Sequence, residues 1–193
     1  MTAEIPERCE ALIFDMDGTL VDSTEVHFAA WYSALAGAGI ELDRETFRHF
    51  YGKTNRTIIR EMEEIHRMEL GQLDLGSKKD RYFSQNVTLV VANQPVVEVA
   101  ERYHGRLPLA VATNEGAGIA NMVLRAVGID ALFDLLVSAE EVARPKPAPD
   151  LFLRTAEAVG VAPEKCHVFE DTSYGIDAAR EAGMSVTDVR AFL

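Results

Sequence analysis

The sequence has only two cysteines, Cys9 and Cys166, far apart and with no Cys-x-x-Cys pair or Cys/His cluster near either. That excludes a zinc ribbon or a disulfide framework, and both thiols are expected to be reduced and structural. Basic charge is also scarce: 19 Lys and Arg stand against 31 Asp and Glu, a formal net charge of −12. Broad docking on nucleic acid or an anionic membrane needs a basic face, so neither partner is expected, although a small anion in a locally positive pocket stays open. No run approaches the roughly 18 apolar residues of a membrane span, and the one apolar run near the N-terminus follows acids and is too short for a signal-peptide core. A cytoplasmic chain, monomeric or weakly dimeric, is the expectation. Internal repeats and low-complexity tracts are missing as well. What is present is 48% apolar content over 193 residues, enough for a real core in one domain of ordinary size or one carrying an insertion.

Ala11-Leu12-Ile13-Phe14 is a continuous apolar run ending in acids and Gly18, the pattern of a buried parallel strand that stops at a functional loop. Residues 109–112, 135–137 and 167–169 repeat it, each ending at a polar cluster, and 185–189 suits a last strand. Between them lie helical segments with glycine stops: one carries Ile119, Met122, Val123, Ala126 and Val127 on one face before Gly128, and others run from near Pro149 to Gly160 and from near Tyr174 to Gly183. Strands alternating with helices predict right-handed crossovers and a mostly parallel sheet with helices on both faces, its sites at the carboxyl ends of the strands.

Residues 23–93 break this alternation. They read as successive helices over 25–36, 44–50, 56–68 and 78–86 with glycine-containing joints. The expected organisation is an α/β core of residues 1–22 and 94–193 with an inserted helical cap of residues 23–93, hinged near Asp22 and Gln94-Pro95.

The chemistry concentrates where the first strand ends. In Phe14-Asp15-Met16-Asp17-Gly18-Thr19-Leu20 two carboxylates stand at i and i+2, which extended backbone places on one side of the chain, and Gly18 permits a sharp turn with amides facing a ligand. A calcium-binding EF-hand loop starting at Asp15 is excluded, since it would need Gly and Glu where this chain has Leu20 and Val26.

This segment, continued through Val21-Asp22-Ser23, resembles the first motif of the haloacid dehalogenase superfamily of phosphatases and phosphomutases. Ala112-Thr113-Asn114 resembles that family's hydroxyl motif, the run from Arg144 through Lys146 to Asp150 its lysine motif, and Phe169-Glu170-Asp171-Thr172 with the residues to Ile176 its acidic motif. The resemblance spans the chain. It implies a Rossmann-like α/β core with an α-helical cap in the position found in β-phosphoglucomutases and small sugar phosphatases.

The roles implied follow from the difficulty of bringing a carboxylate up to an already anionic phosphate ester. Asp15 would be the nucleophile that forms a phospho-aspartate, and Asp17 the general acid for the leaving alcohol, then the base for water. Thr113, Asn114 and Lys146 would bind the phosphoryl group. Mg²⁺ would be held by the Asp15 and Asp171 carboxylates and the Asp17 main-chain carbonyl, with Glu170 nearby. An acid at position 17 favours phosphoryl transfer over dehalogenase or phosphonatase chemistry. The expected substrate is a small phosphorylated metabolite of the fructose-1-phosphate type; a β-phosphoglucomutase-like mutase is the alternative, and a non-catalytic binding module is disfavoured by the intact motifs.

One departure stands out. Glu115 occupies a place where the family often has a small residue; the favoured expectation is that it points away and caps the following helix, and the alternative is that it reads a substrate hydroxyl or weakens activity. In the cap, His27 and Arg56 are candidates for substrate contact by resemblance, with Lys53 a weaker one. Lys78, Lys79 and Arg81 read as a solvated basic face. His49, His66, His104 and His167 show no metal-ligand spacing.

Overall fold

Ala11–Phe14 forms β1, buried at every residue, as an unbroken apolar run requires of a strand covered on both faces. The structure, a computed structural model, describes residues 5–191 and 193. After β1 come β2 (Val21–Asp22), α1 (Thr24–Ala36), α2 (Arg44–Arg48), α3 (Asn55–His66), α4 (Leu75–Gln85), β3 (Val91–Ala92), α5 (Gln94–Tyr103), β4 (Leu109–Thr113), α6 (Ala117–Ala126), β5 (Leu135–Ser138), α7 (Asp150–Val159), β6 (Cys166–Glu170), α8 (Ser173–Glu181) and β7 (Ser185–Asp188).

The main sheet has the order β5-β4-β1-β6-β7 and is parallel throughout, with Leu12 beside Leu109 and Ile13 beside Val168. Side chains alternate across it with the strand period of two. Leu12 and Phe14 enter one apolar layer with Val96, Ala100, Ala120 and Val123 of α5 and α6. Ala11 and Ile13 enter the other with Leu151, Phe152, Ala178 and Ala179 of α7 and α8. Phe14 and Phe169 stack at 4.7 Å between centroids. Each such large side chain contributes on the order of 1.5–3 kcal/mol through burial, so the strand that carries Asp15 is held firmly.

Helices α1 to α4 lie between the two strands of an antiparallel ribbon, Val21 paired with Ala92 and Asp22 with Val91. They share an apolar cluster of their own around Trp31, Leu35, Phe47, Phe50, Ile58 and Met62. Val26 and Ala30 of α1 and Phe83 of α4 join the sheet's core instead, so this helical unit is anchored over the strand ends.

The expected strands and helices are present with ends shifted by a few residues. Helix α4 starts at Leu75, earlier than 78, because Gly76-Ser77 reads as a joint in sequence yet lies inside the helix. Gln94-Pro95, read as a hinge alone, opens α5, where proline suits the first turn because no N–H is needed there. The two-residue strands β2 and β3 are too short to show any alternation.

Candidate active site

Asp15 follows β1 directly, its N–H donating to the Phe169 carbonyl at 3.0 Å, and its carboxylate is buried. Lys146 reaches it from the loop before α7. The Lys146 ammonium donates to Asp15 Oδ1 at 2.7 Å, Glu170 Oε2 at 2.8 Å and the Ala112 carbonyl at 2.9 Å, which uses all three of its donors. Asn114 holds that loop by exchanging hydrogen bonds with the Lys146 main chain, both 3.0 Å. Glu170 is satisfied on both oxygens, since Oε1 accepts from the Asp171 and Thr172 N–H groups and the Thr172 hydroxyl. Thr113 is buried at the end of β4 and its hydroxyl accepts from the Glu115 N–H at 3.0 Å.

Gly18 has φ +85°, and a Cβ there would run into the Asp171 carboxylate, so the turn closes on Asp171 only because the residue is glycine. Asp171 in turn accepts from the Thr19 hydroxyl at 3.2 Å. Burial and the neighbouring Glu170 charge push the Asp171 carboxyl up to about 7. The same two causes push Asp15 well above the usual carboxylate range, against the pull of Lys146. Burial alone would depress Lys146, but the charges of Asp15 and Glu170 outweigh it and hold the ammonium above its ordinary value.

One lysine therefore serves three crowded carboxylates. Asp15, Glu170 and Asp171 each offer an oxygen within 4.8 Å of the others. An all-oxygen, charge-deficient cluster with a turn that only glycine can make beside it fits a hard divalent cation such as Mg²⁺.

The opposite wall comes from the helical unit. Asp17 Oδ1 accepts from the Ser23 hydroxyl and faces His27 Nε2 at 3.2 Å. Burial would raise the Asp17 carboxyl, yet the His27 charge, hydrogen bonds from His27 and Ser23, and the Lys79 charge outweigh it and lower it. His27 lies on the Phe83 ring at 4.3 Å. Asp17, His27 and Glu115 also cluster closely, but there a cation is already in place: Lys79 Nζ donates to Glu115 Oε2 at 2.6 Å and lies 3.2 Å from Asp80.

Two expectations are corrected here. Lys79 is not on a solvated face; its side chain is 1% exposed. Leu75, Lys79 and Phe83 follow one another at i, i+4 on the buried stripe of α4, a signal available in the sequence. Glu115 does not point away. One oxygen does accept from the Gly116 N–H at 2.9 Å, beside the start of α6, but the other turns into the cavity to meet Lys79.

The cavity between the walls is lined by the motif residues Asp15, Asp17, Thr113, Asn114, Lys146, Glu170 and Asp171, and also by His27, Lys79 and Glu115. Its lining also includes the apolar and aromatic residues Trp31, Phe47, Phe50, Tyr51 and Ile58 of the helical unit. Lys53 lines it too but is held by Glu61 at 2.7 Å and 2.8 Å. Arg56 is exposed at the start of α3 and is not part of the lining, so the structure does not bring it to the site. Two contacts fasten the walls together: the Tyr174 hydroxyl donates to the Tyr51 carbonyl at 2.6 Å, and the Asn114 side-chain amide to the Gly52 carbonyl at 2.9 Å. Ser23 and Tyr174 lie within the motif segments without having been given a role, whereas Thr24, Trp31, Phe47, Asn55 and Lys79 line the cavity from outside any motif.

Outside the site, Cys9 and Cys166 are free thiols, and among the described residues no helix is long and apolar enough to cross a membrane. A family described as haloacid dehalogenase-like hydrolase has a model that matches residues 12–189. Fructose-1-phosphate phosphatase YqaB of Escherichia coli is 38% identical over 184 residues, covering 95% of this chain and 98% of its own length. A phosphorylated carbohydrates phosphatase of Thermotoga maritima is 33% identical over 180 residues, covering 91% of this chain and 82% of its own. Among solved structures, a hydrolase from Pseudomonas syringae superposes with a TM-score of 0.82 at 28% identity, covering 92% of this chain and 83% of that one.

Proposed function

Because the chain belongs to the haloacid dehalogenase-like hydrolases, we propose that it is a Mg²⁺-dependent phosphatase that hydrolyses a small sugar phosphate, such as fructose 1-phosphate, through a phospho-aspartate on Asp15. The names of its relatives support the sugar-phosphate class. The observation that carries the mechanism is the contact of Lys146 with Asp15 at the mouth of β1, beside Asp171 and beneath one cavity.

In the proposed first step an Asp15 oxygen forms a bond to phosphorus as the ester P–O bond breaks, and Asp17 delivers its proton to the departing alkoxide. In the second, Asp17 takes a proton from water, the hydroxide attacks phosphorus, and the Asp15–phosphorus bond breaks to release inorganic phosphate. Lys146, the Thr113 hydroxyl and the Asn114 main-chain N–H would orient the phosphoryl group and offset its charge. His27 and Ser23 hold the Asp17 carboxyl toward the cavity. Asp15, Asp171 and the Asp17 carbonyl would hold Mg²⁺, with Glu170 nearby, and the ion would supply further neutralisation of phosphoryl charge. Residues 1–22 and 94–193 would form the catalytic unit, and 23–93 a cap that shuts water out of the first step. A cytoplasmic setting is proposed with this reading.

Release of phosphate from a panel of phosphorylated metabolites with Mg²⁺ tests it. Asp15→Asn is expected to lower kcat by about 10⁴-fold or more, since the nucleophile is gone; near-wild-type turnover in that variant would overturn the mechanism.

A further inference from the structure

Every cation that lines the cavity is already bound to protein carboxylates. Lys146 lies on Asp15 and Glu170, Lys79 on Glu115 and Asp80, and Lys53 on both oxygens of Glu61. His27 is engaged by Asp17 and lies 4.0 Å from Glu115. The phosphoryl group being transferred meets Lys146 and the oxygen cluster suited to a divalent ion at one end. Anything attached to it shares the cavity with Glu115, which lies beside Asp17 and His27, and with the rings of Trp31, Phe47 and Phe50. A neutral polyol finds there a carboxylate to accept its hydroxyls and rings to pack on. A second phosphoryl group finds a fixed negative charge and no free positive one, and like charges brought together in a desolvated site are strongly disfavoured.

We infer that this site selects phosphomonoesters whose remainder is uncharged, and that the Lys79–Glu115 pair rejects substrates carrying a second phosphate. The inference rests on the phosphatase reading and sharpens it. A mutase working through a sugar bisphosphate must hold two phosphates at once, and a cavity whose lining cations are all paired with carboxylates is built against the second. Glu115 acts here by discrimination between ligands, the use of a repulsive element to set specificity.

The test uses p-nitrophenyl phosphate turnover at saturating Mg²⁺ as reporter. Matched pairs serve as substrates and competitors: fructose 1-phosphate with fructose 1,6-bisphosphate, and glucose 1-phosphate with glucose 1,6-bisphosphate. The bisphosphate of each pair is expected to need on the order of tenfold or more higher concentration to compete, and to turn over correspondingly less well. A bisphosphate that competes or turns over as well as its partner overturns the inference. Glu115→Gln is expected to narrow the ratio; an unchanged ratio in a variant with a normal melting transition removes Glu115 from the account. Should that variant not fold, Glu115→Gln combined with Lys79→Met neutralises the pair and is expected to narrow the ratio in the same way. Loss of all aryl phosphate turnover in the wild type would sink the phosphatase reading instead, and calorimetric titration of the Mg²⁺-loaded protein with the same pairs would still read the preference.

Discussion

Two lysines are buried in the described part of the molecule, and they face each other from opposite walls of one cavity. Lys146 stands at the sheet edge in a loop whose sequence announces it, and it binds carboxylates that would take part in the reaction. Lys79 stands on α4, reads in sequence as part of a basic run, and binds the Glu115 carboxylate, which also lines the cavity. Both are paired, both are cut off from water, and both are held above their ordinary pKa by acids that outweigh burial. In the proposed function and the inference drawn from it, the same kind of buried ion pair would serve chemistry on one wall and selection on the other, according to which acid it meets.

That contrast predicts an ordered set of failures. Lys146→Met leaves Asp15 and Glu170 buried without their cation, so unfolding free energy is expected to fall by about 3–5 kcal/mol and turnover to be lost; chemical denaturation and phosphate release measure both, and a stable, active variant would erase the distinction between the walls. Lys79→Met strands Glu115, which retains some access to water, and is expected to cost about 2 kcal/mol and roughly tenfold in kcat/KM for a monophosphate. A loss as deep as that of the Lys146 variant would show that the two walls share one role.

The smallest effect on turnover is expected from a buried group outside the cavity that has no charged partner. His167 lies between the Ser185 and Thr187 hydroxyls at 2.7 Å and 2.8 Å, and burial lowers its pKa from 6.5 to about 4. Since the folded state holds it neutral, its contribution is complete above pH 6.5 and is lost as pH falls toward 4, where the unfolded chain takes up the proton. The loss across that window is about 3 kcal/mol in thermal melts, and His167→Gln is expected to flatten it. A variant that keeps the same slope would assign the window to the site carboxylates instead.

The difference between the walls also governs what could be read from the chain. Strand β1 and the residues around Asp15 were legible because a fully buried parallel strand admits only apolar side chains and because its loop needs acids and a glycine in fixed order. Lys146 was legible only through the resemblance of its loop to the family's lysine motif, since a proline-rich turn by itself marks no site. Lys79 was less so, since a charged residue on a helix is solvated far more often than buried; the Leu75, Lys79, Phe83 spacing marks the buried stripe, and the partner thirty-six places on supplies the charge that burial there requires. The orientation of Glu115 was hidden for the reciprocal reason. Helix α5 escaped because a glutamine and a proline mark a helix start and a hinge alike.

The ties between Tyr174 and the Tyr51 carbonyl and between Asn114 and the Gly52 carbonyl have a consequence for substitution in the cap loop. Both donors sit on the sheet side and both acceptors are main chain, so closure makes no demand on which side chain the cap loop displays at position 51. Gly52 is the exception, because a Cβ there would strike the Tyr174 hydroxyl. Substitution at position 51 would therefore leave both ties in place, whereas any side chain at position 52 would displace the Tyr174 hydroxyl and loosen one of them.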